Sequence, residues 1–156
     1  MTKKTLSLMN QQLDALLTNE TNLIANMANA SALLKSSYED VNWSGFYLYE
    51  EDKDELVLGP FQGNVACMHI ANGSGVCGTA FKTQKVQRVA NVHEFAGHIA
   101  CDSASNSEIV LPLSKDGTKI GVLDIDSPSL NRFSEENQAE LEDFAAIFLT
   151  HVDTEA

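Results

Sequence analysis

The chain has 156 residues, 44% of them hydrophobic, and a formal charge of −12 with only ten Lys and Arg. One domain spanning residues 1–156 is expected, burying roughly two-thirds of the extended chain's surface on folding. So few cations exclude a nucleic-acid partner, no run approaches the roughly 18 apolar residues of a membrane span, and the lysine pair near the N-terminus precedes no signal-like apolar segment. A cytoplasmic protein is expected, and three cysteines without a Cys-x-x-Cys pair argue against a structural disulfide framework.

In chain order, Leu6, Met9, Leu13, Leu16 and Leu17 recur at helical spacing, as do Leu23, Met27, Ala30 and Leu34, predicting two amphipathic N-terminal helices. NWSGFYLYEE and ELVLGPF are β-prone and flank the charged turn Glu50–Asp54, which predicts a hairpin. GSGVCG, residues 73–78, spells G-x-G-x-x-G. It follows two helices and a hairpin rather than opening a βαβ unit, so it is expected to be a loop needing glycine dihedrals, not a dinucleotide site. SEIVLPL and KIGVLDID form a second hairpin around Asp116-Gly117. Ser134 is the expected N-cap of a final helix whose buried stripe is Leu141, Phe144, Ala145 and Phe148, with Glu135 and Glu136 in its first turn. Helices at both ends of antiparallel hairpins indicate an α+β fold, with a sheet covered by helices on one face.

The second hairpin places chemistry on the other face. A two-residue turn at Asp116-Gly117 pairs Leu113 with Ile120 and separates Glu108 from Asp124. A three-residue loop, Lys115-Asp116-Gly117, pairs Glu108 with Asp124 and Val110 with Val122, and we favour it. Alternation then puts Asp126 about 7 Å from Asp124 on the same face, and leaves Ile109, Leu111, Leu113, Leu123 and Ile125 as an apolar surface opposite. Three acids so close raise at least one carboxyl pKa and attract an ammonium group; the bland alternative is a solvated strand surface in an acidic protein.

Cys101 lies in a polar loop beside Asp102, seven residues before Glu108, close enough for thiol and acids to share a face. Its acidic surroundings oppose thiolate formation unless a bound cation or backbone amides compensate. Cys67, His69, Cys77, His93, His98 and Cys101 carry zinc-binding atoms, but not in the close pairs of structural zinc sites, so no metal is expected.

NWSGFYLY, GPFQGNVAC, GSGVCGTAF, HIACDSASNSEIVLP and GVLDIDSP together resemble the free methionine-(R)-sulfoxide reductases, enzymes made of a single GAF domain. The resemblance runs from about residue 20 to about residue 150. It implies a GAF-like six-stranded antiparallel sheet, with the N- and C-terminal helices on one face and a ligand pocket on the other, and a homodimer. It assigns Cys101 as nucleophile and draws the resolving thiol from Cys67 and Cys77, of which we favour Cys67. By the same resemblance Glu108, Asp124 and Asp126 bind substrate, Glu108 also serves catalysis, and Trp43 and Tyr47 line the pocket for the methyl-sulfur end. Thioredoxin is the implied reductant, with no cofactor. The competing expectation is a GAF module that senses a cyclic nucleotide or other small molecule without turnover. A phosphate ligand would meet repulsion from the three acids.

Overall fold

The computed structural model describes residues 5–97 and 104–154. Side-chain oxygens start the long helices where the sequence places them. Ser7 Oγ accepts from Asn10 N (3.3 Å) ahead of α1 (Leu8–Leu17), and Asn22 Oδ1 from Ala25 N (2.9 Å) ahead of α2 (Leu23–Ser37). Ser134 and Asn137 close a reciprocal capping box on α4 (Glu135–Thr150), satisfying amides that a helix start otherwise leaves unpaired. In α4 the whole predicted stripe is buried. Of the expected α1 stripe, Met9, Leu13 and Leu17 are buried; Leu16 is exposed because the covered arc is narrower than the run of leucines, and Leu6 precedes the Ser7 cap and lies outside the helix.

Between the helices lie β1 (Trp43–Glu50), β2 (Glu55–Gly63), β3 (His69–Ala71), α3 (Gly75–Thr83), β4 (Gln87–Val89), β5 (Ser107–Lys115) and β6 (Thr118–Ser127). The strands form one antiparallel sheet in the order β3-β2-β1-β6-β5-β4. Both predicted hairpins are present, β1–β2 and β5–β6.

One sheet face presents Phe46, Ile109, Leu111, Leu113, Leu123 and Ile125 to the buried residues of α1, α2 and α4, as alternation along β5 and β6 requires. Phe46 meets Phe148 of α4 with ring centroids 4.9 Å apart. The opposite face carries a second apolar cluster, in which Trp43, Tyr47, Leu56, Ile70, Val110 and Val122 pack under Val76, Cys77, Ala80 and Phe81. Those last four belong to α3, which corrects the expectation that GSGVCG is wholly a loop. Gly73 and Gly75 do have positive φ (88° and 62°), but helix begins at Gly75. Gly78 lies inside α3, where an added Cβ would stand 2.7 Å from Ala71 O, so only glycine lets the helix sit this close to β3.

The β5–β6 register differs from the expected one by two residues. Lys115 pairs with Thr118 across a two-residue turn, with Asp116 and Gly117 both at positive φ, as a type I′ turn demands. A bulge then intervenes, since Ser114 faces Lys119 but Leu113 faces Gly121. Glu108 is therefore opposite Asp126 and Val110 opposite Asp124, in place of the Glu108–Asp124 and Val110–Val122 pairs. The tight turn alone would have thrown the acids onto opposite faces; the extra residue of the bulge restores the parity. Gly121 permits it, because a Cβ there would lie 1.9 Å from Tyr47 O.

Candidate functional site

Glu108 on β5 and Asp124 and Asp126 on β6 share the face beneath α3, and all three are buried, with Asp124 only 5% exposed. A solvated strand surface is thereby excluded. Across the sheet, Trp43 of β1 is opposite Asp126 and Gly45 opposite Asp124, so the aromatic residues of β1 flank the acids. The missing side chain at Gly45 leaves room for the Phe61 side chain, whose Cβ would be 2.3 Å from a Cβ at position 45.

Trp43 stacks on Phe61 (centroids 5.1 Å) and on Tyr47 (5.9 Å), and its indole Nε1 donates to Asn64 O at 3.1 Å. The Tyr47 hydroxyl donates to Cys67 O at 2.9 Å. Burial, followed by the negative charge of Asp124, pushes the Tyr47 phenol well up, keeping it a hydrogen-bond donor. These two bonds fasten the 64–67 segment to the aromatic wall.

Electrostatically the cluster is costly. Burial first, then Asp126 and Glu108, hold the Asp124 carboxyl well above the usual aspartate range, and its Oδ1 has no hydrogen-bond partner among the described residues. Such a carboxyl retains a proton further up the pH scale, or awaits a cationic partner. Cys77 on α3 points into the same group, with Sγ 3.8 Å from Glu108 Oε2. Its thiol is buried and free, and burial followed by Asp124, Glu108 and Asp126 pushes it well above the ordinary cysteine value. Cys67, in contrast, is disulfide-bonded.

Of the residues singled out in the sequence, Trp43, Tyr47, Cys77, Glu108, Asp124 and Asp126 thus gather on one face, and Cys67 is linked to them through Tyr47. Cys101, together with Asp102 and His98, lies outside the described residues. Of the histidines considered as zinc ligands, His69 and His93 are not drawn in. His69 Nδ1 is paired with Glu55 Oε1 at 2.9 Å, and the His93 ring with Asn106 Oδ1 at 2.9 Å. Phe61 was missed as part of the aromatic wall, since the bulge between Gly45 and Tyr47 sets its position and no alternation pattern shows that. A groove of about 430 Å³ lies elsewhere, between α1 and α4, lined by Thr5, Ser7, Asn10, Glu136 and Glu140, and none of the candidate residues borders it.

The sequence and fold are similar to those of known proteins. A family model described as a GAF domain matches residues 30–149. The free methionine-R-sulfoxide reductase of Escherichia coli (strain K12) is 54% identical over 138 residues, covering 88% of this chain and 82% of that protein. Among solved structures, the reduced form of fRMsr of Staphylococcus aureus superposes with a TM-score of 0.90 at 46% identity, covering 98% of this chain and all of the other (100%). The free methionine-R-sulfoxide reductase from Neisseria meningitidis, in complex with its substrate, gives 0.89 at 40% identity over 97% of this chain and 95% of that one. With a GAF model across most of its length and a relative identical at more than half of the aligned positions, the chain belongs to the GAF-domain family of free methionine-R-sulfoxide reductases.

Proposed function

We propose that this protein reduces free methionine (R)-sulfoxide to methionine. The observation that carries the reading is the buried triad of Glu108, Asp124 and Asp126 beside Trp43 and Tyr47. Three acids removed from water are a costly arrangement unless a cationic ligand enters, and the ammonium of a free amino acid supplies the charge and the donors. Trp43 and Tyr47 take the methyl-sulfur end, whose polarizable atoms suit aromatic faces. A nucleotide or other phosphate ligand would be repelled by the same acids, which disfavours a sensing role.

In the proposed cycle the Cys101 thiolate attacks the sulfoxide sulfur while a protonated carboxyl of the cluster donates to the oxygen. Glu108 is our choice of donor, and the raised pKa of the neighbouring Asp124 keeps a proton in the group. The sulfoxide sulfur is reduced to the thioether as the Cys101 sulfur is oxidised, leaving methionine and a sulfenic acid. The bound ammonium offsets the acidic field that otherwise opposes the thiolate. The Cys67 thiol then attacks the sulfenic sulfur, a disulfide forms and water leaves. Cys67 is favoured for this step because it is disulfide-bonded, whereas Cys77 is free, buried and hard to ionise. Thioredoxin returns both thiols by exchange. The family resemblance supports a homodimer as the working form, and thiol chemistry recycled by thioredoxin fits a reducing compartment such as the cytoplasm.

The decisive measurement is NADPH oxidation coupled through thioredoxin reductase and thioredoxin, with free methionine R- and S-sulfoxides compared. Turnover confined to the R epimer is expected. Equal rates with both, or none with either, overturn the reading.

A further inference from the structure

Cys77 has no task in this cycle when Cys67 resolves the sulfenic acid, yet its sulfur sits among the acids. One donor atom each from Cys77, Glu108 and Asp124 all lie within 4.8 Å of one another, and the three side chains are buried. The Asp124 side chain is 5% exposed, and one of its oxygens, Oδ1, has no hydrogen-bond partner among the described residues. An ammonium group uses only the oxygens, because a thiol is a weak acceptor. A borderline-soft divalent cation uses all three donors. Tetrahedral zinc, with Zn–S near 2.3 Å and Zn–O near 2.1 Å, holds sulfur and oxygen donors about 3.6 Å apart. The Cys77 Sγ to Glu108 Oε2 spacing of 3.8 Å is close to that value before any metal arrives.

We propose that the thiol form of the protein binds Zn²⁺ through Cys77, Glu108 and Asp124, and that metal and free amino acid exclude each other from this place. The exclusion rests on the amino-acid reading given above; the metal site does not. Binding displaces the Cys77 proton to solvent and forms a thiolate–zinc bond, with no change of oxidation state. The consequence is an inhibitory metal site, which a rise in free zinc engages and substrate opposes. Cys77 is then the residue that makes an ammonium pocket sensitive to soft cations.

The test uses full-length protein in which Cys67→Ser and Cys101→Ser leave Cys77 as the sole thiol. The reduced, metal-free variant is titrated with Cd²⁺ while thiolate-to-metal ultraviolet absorption is followed, and with Zn²⁺ by calorimetry. A stoichiometric absorption band is expected, with zinc affinity falling by about tenfold or more when Cys77→Ser or Asp124→Asn is added, and falling again in saturating L-methionine. Absence of the band, or zinc affinity indifferent to Cys77→Ser in a variant whose thermal melt is unchanged, overturns the site. Zinc binding that persists undiminished in saturating methionine overturns the exclusion. Calorimetry of methionine on metal-free protein tests the amino-acid reading separately: no heat there, with Cys77-dependent zinc binding intact, removes that reading and the exclusion together and leaves the metal site standing.

Discussion

The Tyr47 hydroxyl donates a 2.9 Å hydrogen bond to the backbone carbonyl of Cys67, joining the aromatic wall of the acid-bearing face to the segment that carries the proposed resolving thiol. Removing that hydroxyl leaves the ring and its stacking on Trp43 in place while releasing the carbonyl. Tyr47→Phe is therefore expected to form methionine in a single turnover at close to the wild-type rate, but to cycle with thioredoxin several-fold more slowly. The cost of one lost hydrogen bond, about 1 kcal/mol, sets that size. Rapid-quench and steady-state rates separate the two steps, and an equal slowing of both contradicts the division of roles.

Gly121 is the most demanding backbone position of the sheet. Any Cβ there drives into the Tyr47 carbonyl, 1.9 Å away, at the bulge that sets the β5–β6 register. Gly121→Ala is expected to destabilise the fold by about 3 kcal/mol and to impair activity in whatever folded protein remains, because Asp124 and Asp126 lie just beyond the bulge on the same strand. Urea unfolding measures the first effect. A variant within about 0.5 kcal/mol of wild type shows that the sheet accommodates the side chain.

That bulge also marks where the sequence stopped being legible. Alternation in SEIVLPL and LDID sorts acids from aliphatic side chains within each strand, since sheet parity follows from a period of two. Bringing Glu108 to the face of Asp124 and Asp126 also needs the parity of the loop, which the expected three-residue loop and the observed turn plus bulge happen to share. The partner of each acid depends on turn type plus bulge. Two odd shifts cancel in parity but not in register, so Glu108 meets Asp126 rather than Asp124. A glycine inside the apolar run, Gly121, was the available sign. α3 escaped for a different reason. It has nine residues, two of them glycine, and propensity alone opposes a helix there; packing of Val76, Cys77, Ala80 and Phe81 on the sheet supplies what propensity lacks. The edge strands β3 and β4, three residues each, are too short to show a period.

Asp124 links function to stability. Its carboxyl pKa is raised in the folded protein, mainly by burial, above the ordinary value of 3.8 that the unfolded chain presents. Between that value and the raised one, the folded state holds a proton that the unfolded state has released. Stability therefore falls as pH rises through this window. Asp124→Asn abolishes this contribution. The stability of the Asn variant relative to wild type is expected to increase as pH rises above about 4 toward the raised Asp124 pKa, while affinity for methionine drops. Denaturant curves across that range check the sign, and a difference independent of pH shows that the carboxylate ionises without penalty.

Under the proposed cycle, Cys67 and Cys77 should separate cleanly. Cys67→Ser is expected to form one methionine per active site and then stall with thioredoxin, whereas Cys77→Ser, lacking a thiol that burial and three acids hold protonated, should keep cycling within a few-fold of wild type. Cys101→Ser should form no methionine even in one turnover. Sustained thioredoxin-dependent turnover by Cys67→Ser together with loss in Cys77→Ser reverses the assignment of the resolving thiol.

The buried acids also predict which methionine sulfoxides are refused. An acylated nitrogen has lost its charge and most of its donors, so a peptide or N-acetyl substrate leaves Glu108, Asp124 and Asp126 facing a group that cannot pair with them. Buried acids denied the charge and donors of the ammonium lose several kcal/mol, which corresponds to discrimination on the order of a thousandfold. N-acetyl-methionine (R)-sulfoxide is therefore expected to be reduced with kcat/KM at least about a thousandfold below that of the free amino acid. Asp124→Asn and Asp126→Asn should narrow this gap by weakening the free substrate, chiefly through KM, whereas Glu108→Gln also lowers kcat by removing the proposed proton donor. Comparable efficiency on free and acetylated substrate in the wild type means that the ammonium does not sit among these acids, and the cluster then needs another cation to account for its burial.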